Sequence, residues 1–361
     1  MKVHVNYQIF YQQKIGGISN YYLNLLKELH KLNVDITLNA PINIFEDFSK
    51  IDKKFGVNIN SYPKFLRRTL GDLNFFISEK YIEYNQPNIL HNTFYSEKIT
   101  KRKKLKNIIT VYDMITELYG NKNLNYKNHS IKKRISIHNS DYIICISENT
   151  KKDLINIYNI DEKKISVVYL GTNLMEKGDI KLCKDKDFIL YVGSRRDYKN
   201  FENLIKAYSI SKKIKNDFNL VFFGGEKYSS VDADIVNGYN LEKNIKFISG
   251  NNLLLQSYYM NASLFVYPSL YEGFGLPILE AMVNSCPVVC SNTTSLPEVA
   301  GQAAEYFDPK NPEDISEKME RILFDNYLSK ELIGKGIIQS KKFSWRKCAE
   351  ETLQVYKNLQ S

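Results

Sequence analysis

Residues 268–282 read PSLYEGFGLPILEAM. The stretch follows an apolar run, ASLFVYP, crosses glycines at 273 and 275, and enters an apolar pattern of helical spacing, so it reads as strand, turn and helix. Such a turn belongs to a parallel α/β layer, and its amides lie at the positive end of a helix dipole. Two carboxylates frame it, Glu272 and Glu280. Carboxylates accept paired hydrogen bonds from vicinal hydroxyls, and the amides around Phe274, Gly275 and Leu276 can hold phosphate or sugar oxygens. The reading is a receptor for a polyhydroxylated anion, with Glu280 on a ribose diol and Glu272 on a hydroxyl of a second sugar. Two glutamates at this spacing recur by chance, so the surrounding sequence has to decide.

Upstream, FILYVG ends a buried strand at Gly193 and is followed by Ser194, Arg195, Arg196 and Lys199 before an amphipathic helix. Cations beside a strand end can clamp a diphosphate, Arg bidentately and Lys as a point charge; taken alone, the segment reads equally well as a solvated charged turn. Further upstream, QKIGGISNYYLNLL places Gly16 and Gly17 before a helix starting near Ile18 or Ser19, where bare backbone admits a ligand. Three strand–turn–helix junctions of this kind are more specific than any one of them.

The same alternation runs along the whole chain. NIITVYD, DYIICIS and ISVVYLG read as strands and ENTKKDLINIY as a helix; after a polar interval with little periodicity, FILYVG, NLVFFGG, IKFISG and CPVVCSN resume the pattern. The interval reads as a linker, giving two doubly wound α/β domains, a size that 361 residues with 43% apolar content support. No apolar run approaches a bilayer span and the start lacks a signal-peptide core, so a soluble intracellular protein is expected. Five cysteines without metal-ligand spacing fit reduced thiols.

The net charge of +10 is one-sided: residues 1–170 hold 26 Lys and Arg against 16 Asp and Glu. The excess concentrates at Lys101–Lys104 with Lys106, and at Lys132–Arg134, which suggests an anionic membrane surface or a phosphorylated partner as much as a solvated lysine-rich face. Aromatic residues are not interleaved with these lysines, so nucleic acid is not an expected partner.

Taken together, GGIS, TVYDMITELYG, VVYLGTN, ILYVGSRRDYKNFENLIKAY, the block YEGFGLPILEAMVNSCPVVCSNTTSLPEVAGQAAEYFDP and the closing FSWRKCAEETLQVYKNL resemble, nearly end to end, the retaining nucleotide-sugar glycosyltransferases of the GT-B fold, family four. The resemblance implies two Rossmann-like domains facing across a cleft: residues 1–172 binding acceptor, joined by a C-terminal helix, 343–361, that crosses back, and residues 173–342 binding the nucleotide-sugar donor. Position by position, it implies Lys199 on the diphosphate, Gly16 and Gly17 beside it, and Glu272 and Glu280 as the motif glutamates. Where the family often has an arginine after the strand glycine, this chain has Ser194, leaving Arg195 as substitute. Where a histidine commonly precedes the aspartate, it has Tyr112 before Asp113. Asp113 stays a candidate for acceptor or sugar; His91, at another apparent strand end, is a candidate acceptor-side residue or a hydrogen-bonded structural one.

The resemblance further implies retention, and no carboxylate is evidently placed as a double-displacement nucleophile, so attack on the leaving-group face is expected, with charge held by Lys199, Arg195 and amides and with Glu272 and Asp113 in the catalytic set. No cofactor or metal is expected, and the acidic pair Asp232 and Asp234 lies in a polar helix-like segment. The similarity is greatest to bacterial O-antigen and polysaccharide mannosyltransferases, which makes GDP-mannose the first donor, a UDP-sugar (GlcNAc, Gal or Glc) the alternative, and a lipid-linked oligosaccharide at the cytoplasmic membrane face the acceptor. A nucleotide-sugar epimerase, which needs no acceptor, is a more distant alternative.

Overall fold

Strands buried on both faces must be apolar throughout, and the runs singled out above form strands of two parallel sheets, most of them inner ones, with ISVVYLG and IKFISG at sheet edges. The computed structural model describes residues 1–120, 124–172, 186–195, 197–225 and 228–360. Arg196, Cys183 and residues 173–185 of the polar interval lie outside them. The chain divides into two units, Met1–Gly171 with Ser344–Ser361, and Thr172–Phe343.

The first unit carries strands β1 (Lys2–Asn6), β2 (Asp35–Asn43), β3 (Lys54–Asn58), β4 (Ile89–Asn92), β5 (Lys106–Val111), β6 (Tyr142–Cys145) and β7 (Ile165–Val167), in the order β3-β2-β1-β4-β5-β6-β7. Between them run helices α1 (Gly17–Lys31), α2 (Arg67–Asn85), α3 (Ile115–Tyr119), α4 (Leu124–His138) and α5 (Glu148–Tyr158). The second unit has β8 (Asp187–Val192), β9 (Phe218–Phe223), β10 (Ile245–Ile248), β11 (Leu264–Tyr267), β12 (Val288–Ser291) and β13 (Ala304–Phe307), ordered β10-β9-β8-β11-β12-β13. Its helices are α6 (Phe201–Ile210), α7 (Lys212–Asp217), α8 (Ser230–Gly238), α9 (Asn252–Asn261), α10 (Leu276–Val283), α11 (Leu296–Ala300), α12 (Pro312–Phe324) and α13 (Asn326–Ser340). The last helix, α14 (Trp345–Asn358), returns to the first unit and packs on α1.

All strand pairs are parallel, and the two sheets share one plan. Each is built outward in one direction for three strands and then reverses, between β1 and β4 in the first sheet and between β8 and β11 in the second. Beyond the carboxyl ends of the strands at such a reversal, open α/β sheets leave a crevice. The loops after β1, β8 and β11 are the three glycine-bearing turns read from the sequence, so topology puts each at a switch point.

The end of the chain is fixed by its own chemistry. Ser344 caps α14, accepting from the Lys347 amide at 3.1 Å, and the helix buries Trp345, Cys348, Ala349, Thr352, Val355 and Tyr356 on one side. Its Trp345 ring meets Tyr21 of α1 with centroids 6.0 Å apart. The four described cysteines, Cys145, Cys286, Cys290 and Cys348, are free thiols inside the cores.

Candidate functional site

In the second unit, β8 delivers the chain to Gly193, whose φ of 135° only glycine adopts readily. Its amide donates to the Phe223 carbonyl at 3.1 Å, and Gly225 lies so close that a Cβ there would come within 2.6 Å of the Gly193 carbonyl. The Tyr191 hydroxyl donates to the Ser194 carbonyl, holding the turn against its strand.

The cations beyond this turn have different fates. Arg195 has a side chain only 3% exposed; its Nε lies 3.1 Å from Asp232 Oδ2 and its guanidinium stacks over Phe247 at 5.1 Å. Asp232 in turn closes the capping box of α8, accepting from the amide and hydroxyl of Ser229. Arg195 is therefore bound into the body of the second unit, and Asp232 is its counter-ion; Asp234 is exposed. Among the described residues no group of three or more His, Cys, Asp and Glu side chains comes together.

Lys199 reaches the other way. Its Nζ lies 2.6 Å from Glu272 Oε1 and 3.0 Å from the Tyr267 hydroxyl, with lysine and glutamate side chains 12% and 10% exposed. Burial alone would lower the lysine's pKa, but the Glu272 carboxylate more than offsets it and the net shift is upward, so Lys199 is held as a cation. Two residues 73 apart in sequence meet because the β8 and β11 loops are sewn together: the Leu270 amide donates to the Tyr198 carbonyl at 2.8 Å, and Asn200, at a φ of 62°, donates to the carbonyls of Pro268 and Pro309. Asparagine tolerates that left-handed backbone.

From Glu272 the chain turns into α10 under equally firm control. The Glu272 amide donates to Thr294 Oγ1 at 3.1 Å, and the Ser295 hydroxyl donates to the carbonyls of Glu272 and Phe274, both at 2.9 Å. Phe274 is buried edge-on to Phe343. Gly275, φ 107°, is the N-cap of α10; the cap makes no side-chain hydrogen bond, and no acid stands in the first turn that Leu276 opens. That leaves the helix N-terminus electrostatically suited to an anion. One turn further, Glu280 Oε2 accepts from the buried Tyr259 hydroxyl at 3.0 Å. Burial raises the Glu280 carboxyl above the ordinary carboxylate range, and the Tyr259 bond only partly counters it.

In the first unit, Gly16 caps α1 in extended backbone, and Gly17, exposed, has open space where a Cβ would project. The Gln13 side chain sits at this helix start, accepting from the Ser19 amide at 3.2 Å. After β5, Tyr112 is buried and its hydroxyl donates to the Thr93 carbonyl. The Asp113 side chain is 33% exposed, and its Oδ1 accepts from the Ile115 amide at 3.0 Å.

His91 is a core residue rather than part of an acceptor surface. It is fully buried, with Nδ1 2.7 Å from the Tyr356 hydroxyl and Nε2 2.8 Å from Thr110 Oγ1, and burial lowers its imidazole to about 3. Tyr112, expected on the acceptor side, is likewise turned inward with its hydroxyl bonded. The basic run Lys132–Arg134 is also corrected: Lys132 and Arg134 are exposed, but Lys133 is fully buried. Its Nζ donates to Glu117 Oε2 at 2.7 Å and to the Asp113 carbonyl at 2.9 Å, and lies 3.7 Å from Asp113 Oδ1. Burial would raise the Glu117 carboxyl, but the Lys133 ammonium beside it, helped by hydrogen bonds from Tyr158 and Ser130, brings it below the usual range.

Sequence reasoning passed over Tyr267, Tyr259 and Asn200, and counted Lys133 with its exposed neighbours. Tyr267 ends a buried strand just before the glutamate turn, a signal that a hydroxyl reaches the strand's carboxyl edge; Lys133 carries no signal that separates it from its charged neighbours.

The model of the glycosyl transferases group 1 matches residues 173–339, and that of glycosyltransferase family 4 matches residues 15–176. The chain is 30% identical over 364 residues to an uncharacterized glycosyltransferase of Methanocaldococcus jannaschii, covering 97% of this chain and 96% of that one. It is 30% identical over 240 residues to O-antigen chain mannosyltransferase B of Escherichia coli, a stretch that is 62% of this chain and spans only 62% of that relative's length. The structure of sucrose-phosphate synthase from Thermosynechococcus elongatus shares the fold, with a TM-score of 0.80 at 20% identity over 99% of this chain and 98% of that one.

Proposed function

The chain belongs to the group 1 and family 4 glycosyltransferases, built on the two parallel-sheet units of the GT-B fold, and from that premise we propose that it transfers mannose from GDP-mannose to a glycan acceptor with retention of configuration. The observation that carries this reading is the Lys199–Glu272 pair at the switch point of the second sheet, next to the acid-free start of α10. It offers a fixed cation, a helix N-terminus and two carboxylates where a sugar nucleotide needs them.

In the proposed reaction the bond from the sugar's anomeric carbon to the diphosphate oxygen breaks, and its electron pair stays on the diphosphate. Lys199 and the amides at Gly275 and Leu276 stabilise that charge as it forms, which accelerates the step because the donors are already oriented. An acceptor hydroxyl bonds to the anomeric carbon from the same face, and its proton passes to the departing phosphate oxygen. Glu272, held by Lys199, positions a hydroxyl of the transferred sugar, and Glu280 takes the ribose diol. Gly16 and Gly17 leave the start of α1 open to an anionic group of a ligand, and the partly exposed Asp113 is the candidate for a contact with acceptor or sugar. Arg195 contributes through its place beside the β8 turn. No metal is required in this scheme, since the leaving charge is met by the lysine and the amides.

Mannose as the sugar and an O-antigen chain as the acceptor follow the name of the E. coli relative; a lipid-linked oligosaccharide as the form of that acceptor is part of the proposal. Synthesis at the cytoplasmic membrane face accords with a nucleotide-sugar donor, and no helix among the described residues is long and apolar enough to cross a membrane. The test is a panel of nucleotide sugars scored first for thermal stabilisation and then for release of nucleoside diphosphate. Stabilisation by GDP-mannose, with release dependent on an acceptor, supports the reading; preference for a UDP-sugar reassigns the donor, and conversion of the donor without acceptor points to an epimerase.

A further inference from the structure

Beyond the carboxyl ends of β4 and β5, three segments of the first unit converge on one imidazole. His129, half-buried on α4, packs against Phe94 and Tyr95 of the loop after β4, with ring centroids 5.4 and 5.2 Å away. Its Nδ1 lies 3.2 Å from Oγ1 of Thr116 in α3. That hydroxyl has one hydrogen, which it donates to Glu117 Oε2 at 2.9 Å, and its oxygen already accepts from Lys133 Nζ at 3.2 Å. Toward the histidine Thr116 can therefore only accept, so Nδ1 carries the ring's hydrogen and Nε2 of the neutral ring is a bare acceptor. Nε2 has no partner among the described residues.

The surroundings keep the ring neutral. Burial lowers its pKa first and the Lys133 ammonium second, with Lys132 adding to them; Asp113 and Glu117 pull the other way without reversing the shift. The groups offered to a ligand here are of one kind. Asp113, beside the same Lys133 ammonium, has a side chain 33% exposed, and the half-buried Phe94 adds apolar ring surface. Lys133 itself is fully buried and committed to Glu117, Thr116 and the Asp113 carbonyl. A carboxylate and a bare ring nitrogen, with that cation already spent, suit a ligand that brings O–H groups and are a poor match for a phosphate, which brings only oxygens.

We propose that His129 Nε2 and Asp113 accept hydrogen bonds from hydroxyls of one neutral sugar ring, the acceptor residue to be extended, whose C–H face packs on Phe94. Sites for small polar ligands have this composition, apolar and aromatic surface with a few fixed polar groups that set orientation. The assignment rests on the first unit being the acceptor side of a glycosyltransferase. To that reading it adds a histidine whose tautomer is fixed by the Thr116, Glu117 and Lys133 network, so that the network sets which hydroxyl the site can take.

The experiment is nuclear magnetic resonance of the full chain with isotopically labelled histidine, using long-range proton–nitrogen correlation of the rings; His129→Gln identifies the signal by its loss. In the free protein at neutral pH the ring should show a protonated Nδ1 and a bare Nε2. Titration with the methyl glycosides of mannose, galactose and N-acetylglucosamine should move the Nε2 shift for at least one of them. His129→Asn keeps an amide for Thr116 but has no atom at the Nε2 position. It should melt like the parent, keep the parent's affinity for GDP-mannose, and bind that glycoside roughly three- to tenfold more weakly through the loss of one hydrogen bond. His129→Gln, whose longer side chain carries its amide to the Nε2 position, should regain most of the glycoside affinity, read from the ligand's own signals. A merely structural histidine would give the reverse, with His129→Asn and His129→Gln differing in melting and not in binding. The proposal is overturned by that pattern, by a hydrogen on Nε2 in the free protein, or by glycosides that leave the His129 signal unmoved. Should His129→Asn fold poorly, the tautomer and the glycoside shifts of the parent decide. Failure of every nucleotide sugar to stabilise the parent would instead reject the transfer reading, and the glycoside titration would still judge the His129 site.

Discussion

Replacing Lys199 by methionine separates the two tasks that its position assigns to it. The ammonium group is 2.6 Å from the carboxylate of a side chain that is itself only 10% exposed, so its loss leaves Glu272 as a buried charge without its cation. Breaking a buried pair from one side costs about 3–5 kcal/mol, and with both side chains nearly enclosed, solvent screening recovers little of it. For a domain of this size each kcal/mol lowers the melting point by about 2–4 °C, so the second unit should melt roughly 10 °C lower. Lys199→Met/Glu272→Gln removes both charges and should regain most of that loss. Turnover behaves otherwise: single and double variants alike should lose about 10²–10³-fold at saturating donor, because the cation that meets the leaving diphosphate is gone in both. Differential scanning fluorimetry with and without donor, alongside release of nucleoside diphosphate, measures both quantities. A double variant that melts as low as the single one refutes the pairing argument, and a double variant that turns over like the parent removes Lys199 from the reaction.

Three further outcomes are expected. Glu280→Ala should weaken donor binding by ~1.5–3 kcal/mol; because burial raises this carboxyl, the parent's affinity should also decline as pH falls from neutrality sooner than an ordinary glutamate predicts, and calorimetry showing unchanged affinity in the variant rejects the ribose contact. His91, lowered from 6.5 to about 3, keeps out of the folded state a proton that the unfolded chain binds, so its contribution is complete above pH 6.5 and is lost as pH falls toward 3. That loss amounts to roughly 2 kcal/mol at pH 5, and urea midpoints of His91→Gln at pH 8 and pH 5 should differ by correspondingly less than the parent's; an equal difference contradicts the assignment. Lys133→Met should destabilise by about 3–5 kcal/mol by stranding Glu117, whereas Lys132→Met one residue away should stay within about 0.5 kcal/mol, and equal denaturation midpoints for the two would show that the buried network carries no weight.

The alternation of apolar runs with amphipathic stretches was enough to read β5 through β12, because parallel strands covered on one or both faces are apolar along most of their length. β2 escaped that reading. It contains Asn39, Pro41 and Asn43, and its pairing with β3 shifts register between Asn39 and Ile42, around the proline that cannot donate to the ladder. At the site, Gly193, Gly275 and the two glutamates were legible, since turn geometry and helix starts are local properties. The partners of the charges were not. Lys199 with Glu272, Arg195 with Asp232 and Lys133 with Glu117 are set by which loops the sheets bring side by side, and residue type alone does not distinguish a buried lysine from its exposed neighbours.

The return of α14 to the first unit also fixes an order of assembly. His91 in β4 bonds to Tyr356, 265 residues further along, whereas the second unit is closed by residues between 172 and 343. On the ribosome, the unit made second can reach its final form while the unit made first still shows the uncovered side of α1, with Tyr21 and its neighbours awaiting Trp345. A nascent chain stalled before α14 should therefore expose a sticky first half beside a finished second half, and the step that completes the earlier domain is the emergence of the last helix.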